Sequence, residues 1–364
     1  MPDTHQHPHD TDAHMKAALK TLQGEFTVQE VEAPPQPGKG WVKARVRVAG
    51  ICGTDLRHWK VEDPHLECHI MGHELAGEVV EVGEEVKNVK VGDRVVVETV
   101  MGDGTCEWCR VEQYNICPQL YPVRTQSVSR AYAEYVVGPA EKFYKLPDHV
   151  SFEEAALLDT FSVCLHGINR SNLKLNDKVA IIGAGTIGLG QVQLAKACGA
   201  DVIVTDIVDS TLQMAKELGA DVIVNSKTED ARAKVMEFTG GRGADIVYEC
   251  AGGTAMPMTL PQAVSFARIG GKVVIIGGFD KGAVSIPLEW QHIQMAEIDL
   301  IPSASYAFRD IYPEMKMCLD LLSKGTLNAK KMITHRFPID EINKAFETAR
   351  DKEHTQAVFV AIHI

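Results

Sequence analysis

The sequence predicts an α/β protein in two parts, a β-rich domain followed by a doubly wound parallel sheet, and two patterns carry that prediction. Between residues 26 and 100, Val42, Ala44, Val46 and Val48 alternate with Lys43, Arg45 and Arg47, the period of two of a half-buried strand. From residue 178 onward, apolar runs at 178–182, 201–206, 222–224, 245–248 and 272–276 alternate with helical or loop stretches. That order builds a parallel sheet covered by helices. At 364 residues, with 45% hydrophobic and 24% charged residues, the chain is long enough for two cores.

Composition excludes several classes. The formal net charge is −12, which leaves no broad basic surface for nucleic acid or anionic membrane. No apolar run approaches the roughly 20 residues that span a bilayer, and the N-terminus lacks the basic-then-apolar order of a secretory signal. Nine cysteines, an odd number with three clustered, fit a reducing compartment better than a disulfide scaffold, so a cytoplasmic location is expected.

Taken in order, residues 1–14 are polar, with His5, His7, His9 and His14 set among Asp and Pro; a mobile tail is expected there, with the fold starting at Met15. Cys52-Gly53-Thr54-Asp55 and Gly72-His73-Glu74 follow. One thiolate, one imidazole and nearby carboxylates suit zinc, and three protein ligands leave a fourth position open for chemistry. Each residue alone reads more simply as core or surface; the combination, set among Gly77, Gly83 and Gly92, is far more specific. Stretches 79–82 and 95–97 are further strand candidates between Gly and Asp turns. Ser151, with Glu153 and Glu154 behind it, reads as a helix start. The apolar run 155–158 then ends in Asp159. A buried carboxylate needs a partner, and a metal is the leading one, with a helix cap or an ion pair as the alternative. Cys52, His73 and Asp159 are thus the expected zinc ligands.

Strand 178–182 runs directly into Gly183-Ala184-Gly185-Thr186-Ile187-Gly188 and a helical stretch to Cys198. In this strand–turn–helix setting the GxGxxG pattern marks a dinucleotide-binding Rossmann unit. Its glycines allow a tight turn and close approach to pyrophosphate, and the helix N-terminus supplies free amides. Gly183, Gly185, Ile187 and Gly188 are the expected contacts. Asp206 ends the next strand, 18 residues past Gly188. A carboxylate there accepts from the adenosine ribose and repels a 2′-phosphate, favouring NAD over NADP.

These segments, CGTD at 52–55, GHELAGEVVEVG at 72–83, VGDRV at 91–95, AYAEY at 131–135 and GAGTIG at 183–188, resemble the zinc-dependent medium-chain alcohol dehydrogenases, the group that includes sorbitol and other polyol dehydrogenases. The resemblance runs from about Met15 to the C-terminus. It implies a chaperonin-like β-barrel catalytic domain (15–165), a Rossmann domain (166–308) and a return to the catalytic domain (309–364). It implies hydride transfer between a secondary alcohol or polyol and NAD, with Thr54 taking the alcohol proton and Glu74 standing beside the zinc or exchanging onto it. Gly277 and Gly278 are placed near the nicotinamide, and the loop 303–305 on the cofactor side. A homodimer or homotetramer is implied as well.

The sequence departs from the family at three places. Asp103 stands where a fourth cysteine is usual, with Cys106, Cys109 and Cys117; a structural zinc on one carboxylate and three thiolates is expected, against an empty lobe shaped by packing. Residues 118–130 lack the usual glycines before the AEY motif. Arg57 holds the position of the relay histidine, and a guanidinium cannot act as a base near neutral pH. Either His58 or water takes over the relay, or Arg57 meets an anionic or hydroxyl-rich substrate. The alternatives to a polyol dehydrogenase are therefore a threonine or sugar-acid dehydrogenase and, more remotely, a non-catalytic relative. Trp59 and Trp290 read as core or as a substrate wall.

Overall fold

The structure is a computed structural model that describes residues 13–62, 69–120, 130–278 and 285–364. The expected tail histidines His5, His7 and His9, and the reshaped loop at 121–129, lie outside the described residues.

The β-rich part is a seven-stranded sheet with Trp41–Gly50 at its heart. Along one direction it pairs with Phe359–His363 and then Ile333–Pro338; along the other with Glu74–Val82, Arg94–Val97 and Phe143–Lys145, while Tyr135–Pro139 also lines up on it. The alternation at 42–48 turns the small apolar side chains inward: Val42, Ala44, Val46 and Val48 are each at most 2% exposed. A separate hairpin, His14–Lys20 with Phe26–Glu32, begins one residue before the expected start of the fold. Two strands from the far end of the chain complete this sheet, so the first domain closes only through the last residues.

The second part is a six-stranded parallel sheet in the order Val222–Asn225, Asp201–Asp206, Lys178–Ile182, Ala244–Glu249, Ala267–Ile275, Asp299–Pro302. The strands nearest the middle are the apolar runs read from the sequence, and Val179, Ala180 and Ile181 have no exposure at all. The order reverses between Lys178–Ile182 and Ala244–Glu249. Ligands of such sheets bind beyond the strand ends at that reversal. Helix Leu158–Ser171 packs on helix Thr186–Ala197 and on Glu314–Ser323, and it runs unbroken across the expected boundary at 165/166.

Buried polar contacts fix the parts that carry the site. Glu98, fully buried, accepts from Lys142 Nζ at 2.8 Å, from Tyr144 Oη at 2.8 Å and from the Tyr114 hydroxyl. Lys142 Nζ also stands 3.8 Å from the Tyr114 ring centre. This network ties the cysteine lobe, in which Tyr114 lies, to the sheet. Phe346 packs against Phe26, Trp59 and Tyr132, so Trp59 is core at 1% exposure and Trp290, 65% exposed, lines the outside.

Candidate metal and cofactor site

Two distant segments converge through Asp55. Helix Gly53–Trp59 begins at Cys52, whose amide donates to Asp55 Oδ2 at 3.0 Å. The Tyr132 hydroxyl donates to the same oxygen at 3.0 Å, and His73 Nδ1 lies 3.5 Å from Oδ1. Burial alone would raise the Asp55 pKa, but His73, the Cys52 amide and Tyr132 outweigh it and hold the carboxyl below its ordinary range. One buried carboxylate thus sets the spacing between the thiol and the imidazole, a usual arrangement around metal-binding histidines.

Glu74 opens strand Glu74–Val82. Its Oε1 accepts from the Thr160 hydroxyl at 2.9 Å, whereas Oε2 is buried without a hydrogen-bond partner. Space for Oε2 exists because residue 50 is glycine; a Cβ there would stand 2.3 Å away. Burial, with the charges of Asp159 and Asp55 added and His73 opposing, pushes Glu74 up to about 8. Ligand atoms of Cys52, His73 and Glu74 all lie within 4.8 Å of one another. A thiol, an imidazole and an orphaned buried carboxylate oxygen fit a zinc ion, which would relieve the cost of that unpaired oxygen. Asp159, expected as the third ligand, is not in this set: its Oδ1 accepts from the Tyr306 hydroxyl at 2.6 Å.

The ligand atoms of Asp103, Cys106, Cys109 and Cys117 likewise lie within 4.8 Å of one another. The amides of Cys106 and Thr105 donate to Asp103 at 3.0 and 2.8 Å and hold its carboxyl well below the carboxylate range. Burial, and then the neighbouring thiols, push Cys109 up to about 12. Three sulfurs and a carboxylate this crowded suit a cation that would let the thiols ionise. The sulfurs close in over a residue without a side chain, since a Cβ at Gly102 would stand 2.4 Å from Cys109 Sγ.

At the sheet reversal, Gly183 turns with φ +97°, and a Cβ at Gly188 would lie 1.8 Å from the Gly183 carbonyl oxygen. Both positions therefore require glycine. Gly185 caps the following helix without any side-chain cap bond, which leaves amides for a ligand. Ile187, in the first turn, is half-buried. Asp206 is engaged with backbone: Oδ2 accepts from Ala184 N at 2.5 Å, and Oδ1 from Ile207 N and Val208 N at 2.6 and 2.9 Å. The carboxylate expected to face the ribose also braces the glycine turn.

Sequence reasoning did not single out Lys352. Its Nζ comes 3.9 Å from where a Cβ on Gly185 would stand. Burial lowers its pKa, opposed by the charges of Cys52, Asp206 and Glu74. Only the return of the chain brings it to the glycine turn, helped by Thr186 Oγ1 donating to the Val358 carbonyl at 3.0 Å and by the Lys227–Glu353 ion pair at 2.6 Å. Thr54 accepts from Arg57 Nη2 at 2.8 Å, and Arg57 lies against Gly278. His58 is half-buried in the last turn of the same helix. The 303–305 loop packs on the cysteine lobe, the Ala304 carbonyl accepting from Asn115 at 2.9 Å.

Comparison with known proteins agrees with this geometry. Residues 38–148 match the alcohol dehydrogenase GroES-like domain and residues 186–323 the zinc-binding dehydrogenase domain. The chain is 35% identical to a sorbitol dehydrogenase of Bacillus subtilis over 350 residues, covering 94% of this chain and 95% of the relative. It is also 35% identical to an (R,R)-butanediol dehydrogenase of Bacillus subtilis, covering 94% and 98%. Among solved structures, the 2R,3R-butanediol dehydrogenase of Bacillus subtilis superposes with a TM-score of 0.80 at 34% identity, over 96% of this chain and 99% of that one. An oxidoreductase of unknown specificity from Escherichia coli gives 0.85 at 31%, over 96% and 99%. The chain belongs to the zinc-dependent medium-chain alcohol and polyol dehydrogenase family.

Proposed function

We propose that the protein oxidises a secondary alcohol or polyol to the ketone, reversibly, with NAD, and that Cys52, His73 and Glu74 hold the catalytic zinc. The observation that carries the reading is the convergence of those three donors, with an unsatisfied Glu74 oxygen, beside Thr54 and the glycine turn. Zinc, when bound, supplies Lewis acidity that lowers the pKa of an alcohol, and NAD supplies the hydride acceptor. Asp55 turns His73 Nδ1 toward itself, so that Nε2 is the ring atom offered to the ion. Thr54 accepts the proton of the substrate hydroxyl. It cannot pass that proton to Arg57, which is already fully protonated; the exit runs through His58 or water. Gly183, Gly185, Ile187 and Gly188 form the bed for the pyrophosphate, Lys352 adds a positive charge there, Asp206 receives the adenosine ribose, and Gly277 and Gly278 back the nicotinamide. Asp103, Cys106, Cys109 and Cys117 hold a second, structural zinc.

Of the domain limits proposed from the sequence, 15–165, 166–308 and 309–364, the return of the last segment to the first domain is supported by Ile333–Pro338 and Phe359–His363 joining the first sheet, whereas the 165/166 limit falls inside helix Leu158–Ser171. A reducing, cytoplasmic setting is supported by eight free cysteines among the described residues, where no helix is long and apolar enough to cross a membrane. A homodimer or homotetramer is supported by Trp290 and Met295, 65% and 76% exposed, near the edge strand Asp299–Pro302. The test is zinc quantitation with an NAD-reduction screen over polyols and secondary alcohols. About two zinc ions per chain and NADH formation are expected; Cys52→Ser should lose one ion and the activity together. A zinc-loaded protein that reduces no NAD with any alcohol would overturn the reading.

A further inference from the structure

The guanidinium of Arg57 stands where the reaction helix meets the cofactor-side loop. Nη2 donates to Thr54 Oγ1 at 2.8 Å. A Cβ on Gly278 would lie 2.6 Å from Nη2 and 3.1 Å from Nη1, so the guanidinium rests directly on the bare backbone of residue 278. Among the described residues, no carboxylate lies within the 4.0 Å of an ion pair with Arg57. The acids nearby are committed elsewhere: Asp55 to Cys52, Tyr132 and His73, Glu74 to Thr160, and Asp206 to backbone amides. In a chain with 49 acidic against 37 basic residues, this half-buried guanidinium thus stands without a carboxylate partner among the described residues. Uncompensated partly buried charge is costly unless a ligand pairs with it.

The cofactor phosphates do not call for this group. They have the Gly185 amides and Lys352 at the glycine turn, whereas Arg57 is bonded to Thr54 and rests on Gly278, at the end of the cleft where the nicotinamide and the substrate hydroxyl would meet. A guanidinium has five N–H donors in a planar fork, suited to carboxylate or phosphate; Thr54 takes one of them.

We propose that Arg57 selects the substrate, and that the substrate is a polyol carrying an anionic group, a phosphate monoester or a carboxylate, close to the hydroxyl that is oxidised. With Thr54 in contact with both the reacting oxygen and Arg57, hydrogen bonds of about 2.8 Å place the anion within about two to three carbons of that hydroxyl. This rests on the dehydrogenase reading above and narrows it.

The test compares sorbitol, sorbitol 6-phosphate and gluconate, which share one carbon skeleton, on the zinc-loaded enzyme with saturating NAD. At least one anionic substrate should exceed sorbitol in kcat/KM by about tenfold or more, a usual worth for a charge-assisted contact. The phosphate and carboxylate arms show which anion the pocket takes. Arg57→Gln should abolish the preference through KM, Arg57→Lys should keep part of it, and both should leave the NADH dissociation constant, read by fluorescence, unchanged. Calorimetry with sorbitol 6-phosphate or gluconate on the enzyme–NADH complex should show binding to wild type that Arg57→Gln loses. Oxidation of sorbitol as well as of either anion overturns the proposal and leaves the dehydrogenase reading standing. So does an Arg57→Gln enzyme that keeps the preference while losing NADH. A wild type that oxidises none of a broad alcohol panel takes both down.

Discussion

Glu98→Ala should unseat the cysteine lobe from the sheet, although it touches neither metal group. The variant strands the Lys142 ammonium, 7% exposed, and breaking a buried charge pair costs about 3–5 kcal/mol. It also removes the acceptor of the Tyr114 and Tyr144 hydroxyls, at about 1–3 kcal/mol for each donor left dry. Burial first, and then Glu98, raises the pKa of both phenols, so both remain donors at working pH. Water entering the new space satisfies some of these groups, so a net loss of about 4–6 kcal/mol is expected, a large share of the roughly 5–15 kcal/mol that a folded protein holds. Because Tyr114 lies between Cys109 and Cys117, zinc release to a chelator should accelerate in step. The double variant Glu98→Leu with Lys142→Met, which removes both charges, should recover much of the loss. Urea unfolding of the metal-loaded protein and a colorimetric zinc-release assay measure the two effects. Stability within about 1 kcal/mol of wild type, or unchanged zinc release, would refute the reasoning.

Three further outcomes follow from contacts described above. Lys352→Ala should weaken ADP-ribose and NAD binding about tenfold, the loss of one charge-assisted contact, with adenosine binding unchanged in calorimetry; equal affinity for ADP-ribose would remove the lysine from the cofactor site. Asp206→Ser should lower NAD use and raise NADP use, because repulsion of the 2′-phosphate is lost; an unchanged ratio of kcat/KM values would assign Asp206 to bracing the Ala184 turn alone. Arg336, paired with Glu153 at 2.8 Å, holds the Glu153 pKa below its ordinary 4.5, against burial and with help from His363. A depressed folded pKa gives stability that is present above about 4.5 and lost as pH falls through the folded value. Arg336 is 49% exposed, so about 0.5–1 kcal/mol is expected, and the difference in unfolding midpoint between wild type and Glu153→Gln should close between about pH 6 and about pH 3. A gap that stays constant with pH would contradict the pairing.

The parallel sheet was legible because its strands are buried on both faces and read as plain apolar runs; 178–182 and 201–206 coincide with Lys178–Ile182 and Asp201–Asp206. The Ser151 cap was legible from local chemistry, and its box with Glu154 is formed. Cys52 and His73 were legible as donors, but the choice between Glu74 and Asp159 was not. Glu74 groups with them and keeps an oxygen left without a partner, while Asp159 is engaged by Tyr306, nearly 150 residues further along the chain; neither circumstance carries a mark in the sequence. Lys352 was illegible for a similar reason: an unremarkable lysine in a polar stretch becomes a site residue only through chain return.

That return also sets the order in which the molecule can assemble. The six parallel strands lie between residues 178 and 302 and need nothing outside that interval to pair. Strand Trp41–Gly50 pairs with Glu74–Val82 on one side and, over residues 41–45, with Tyr135–Pro139 on the other, but its end at Val48–Gly50 stays unpaired on that side until Phe359–His363 arrives more than 300 residues later. During translation its exposed edge is open to wrong partners for most of the time the ribosome needs. Cys52, two residues past that strand, therefore reaches its final surroundings among the last events of folding.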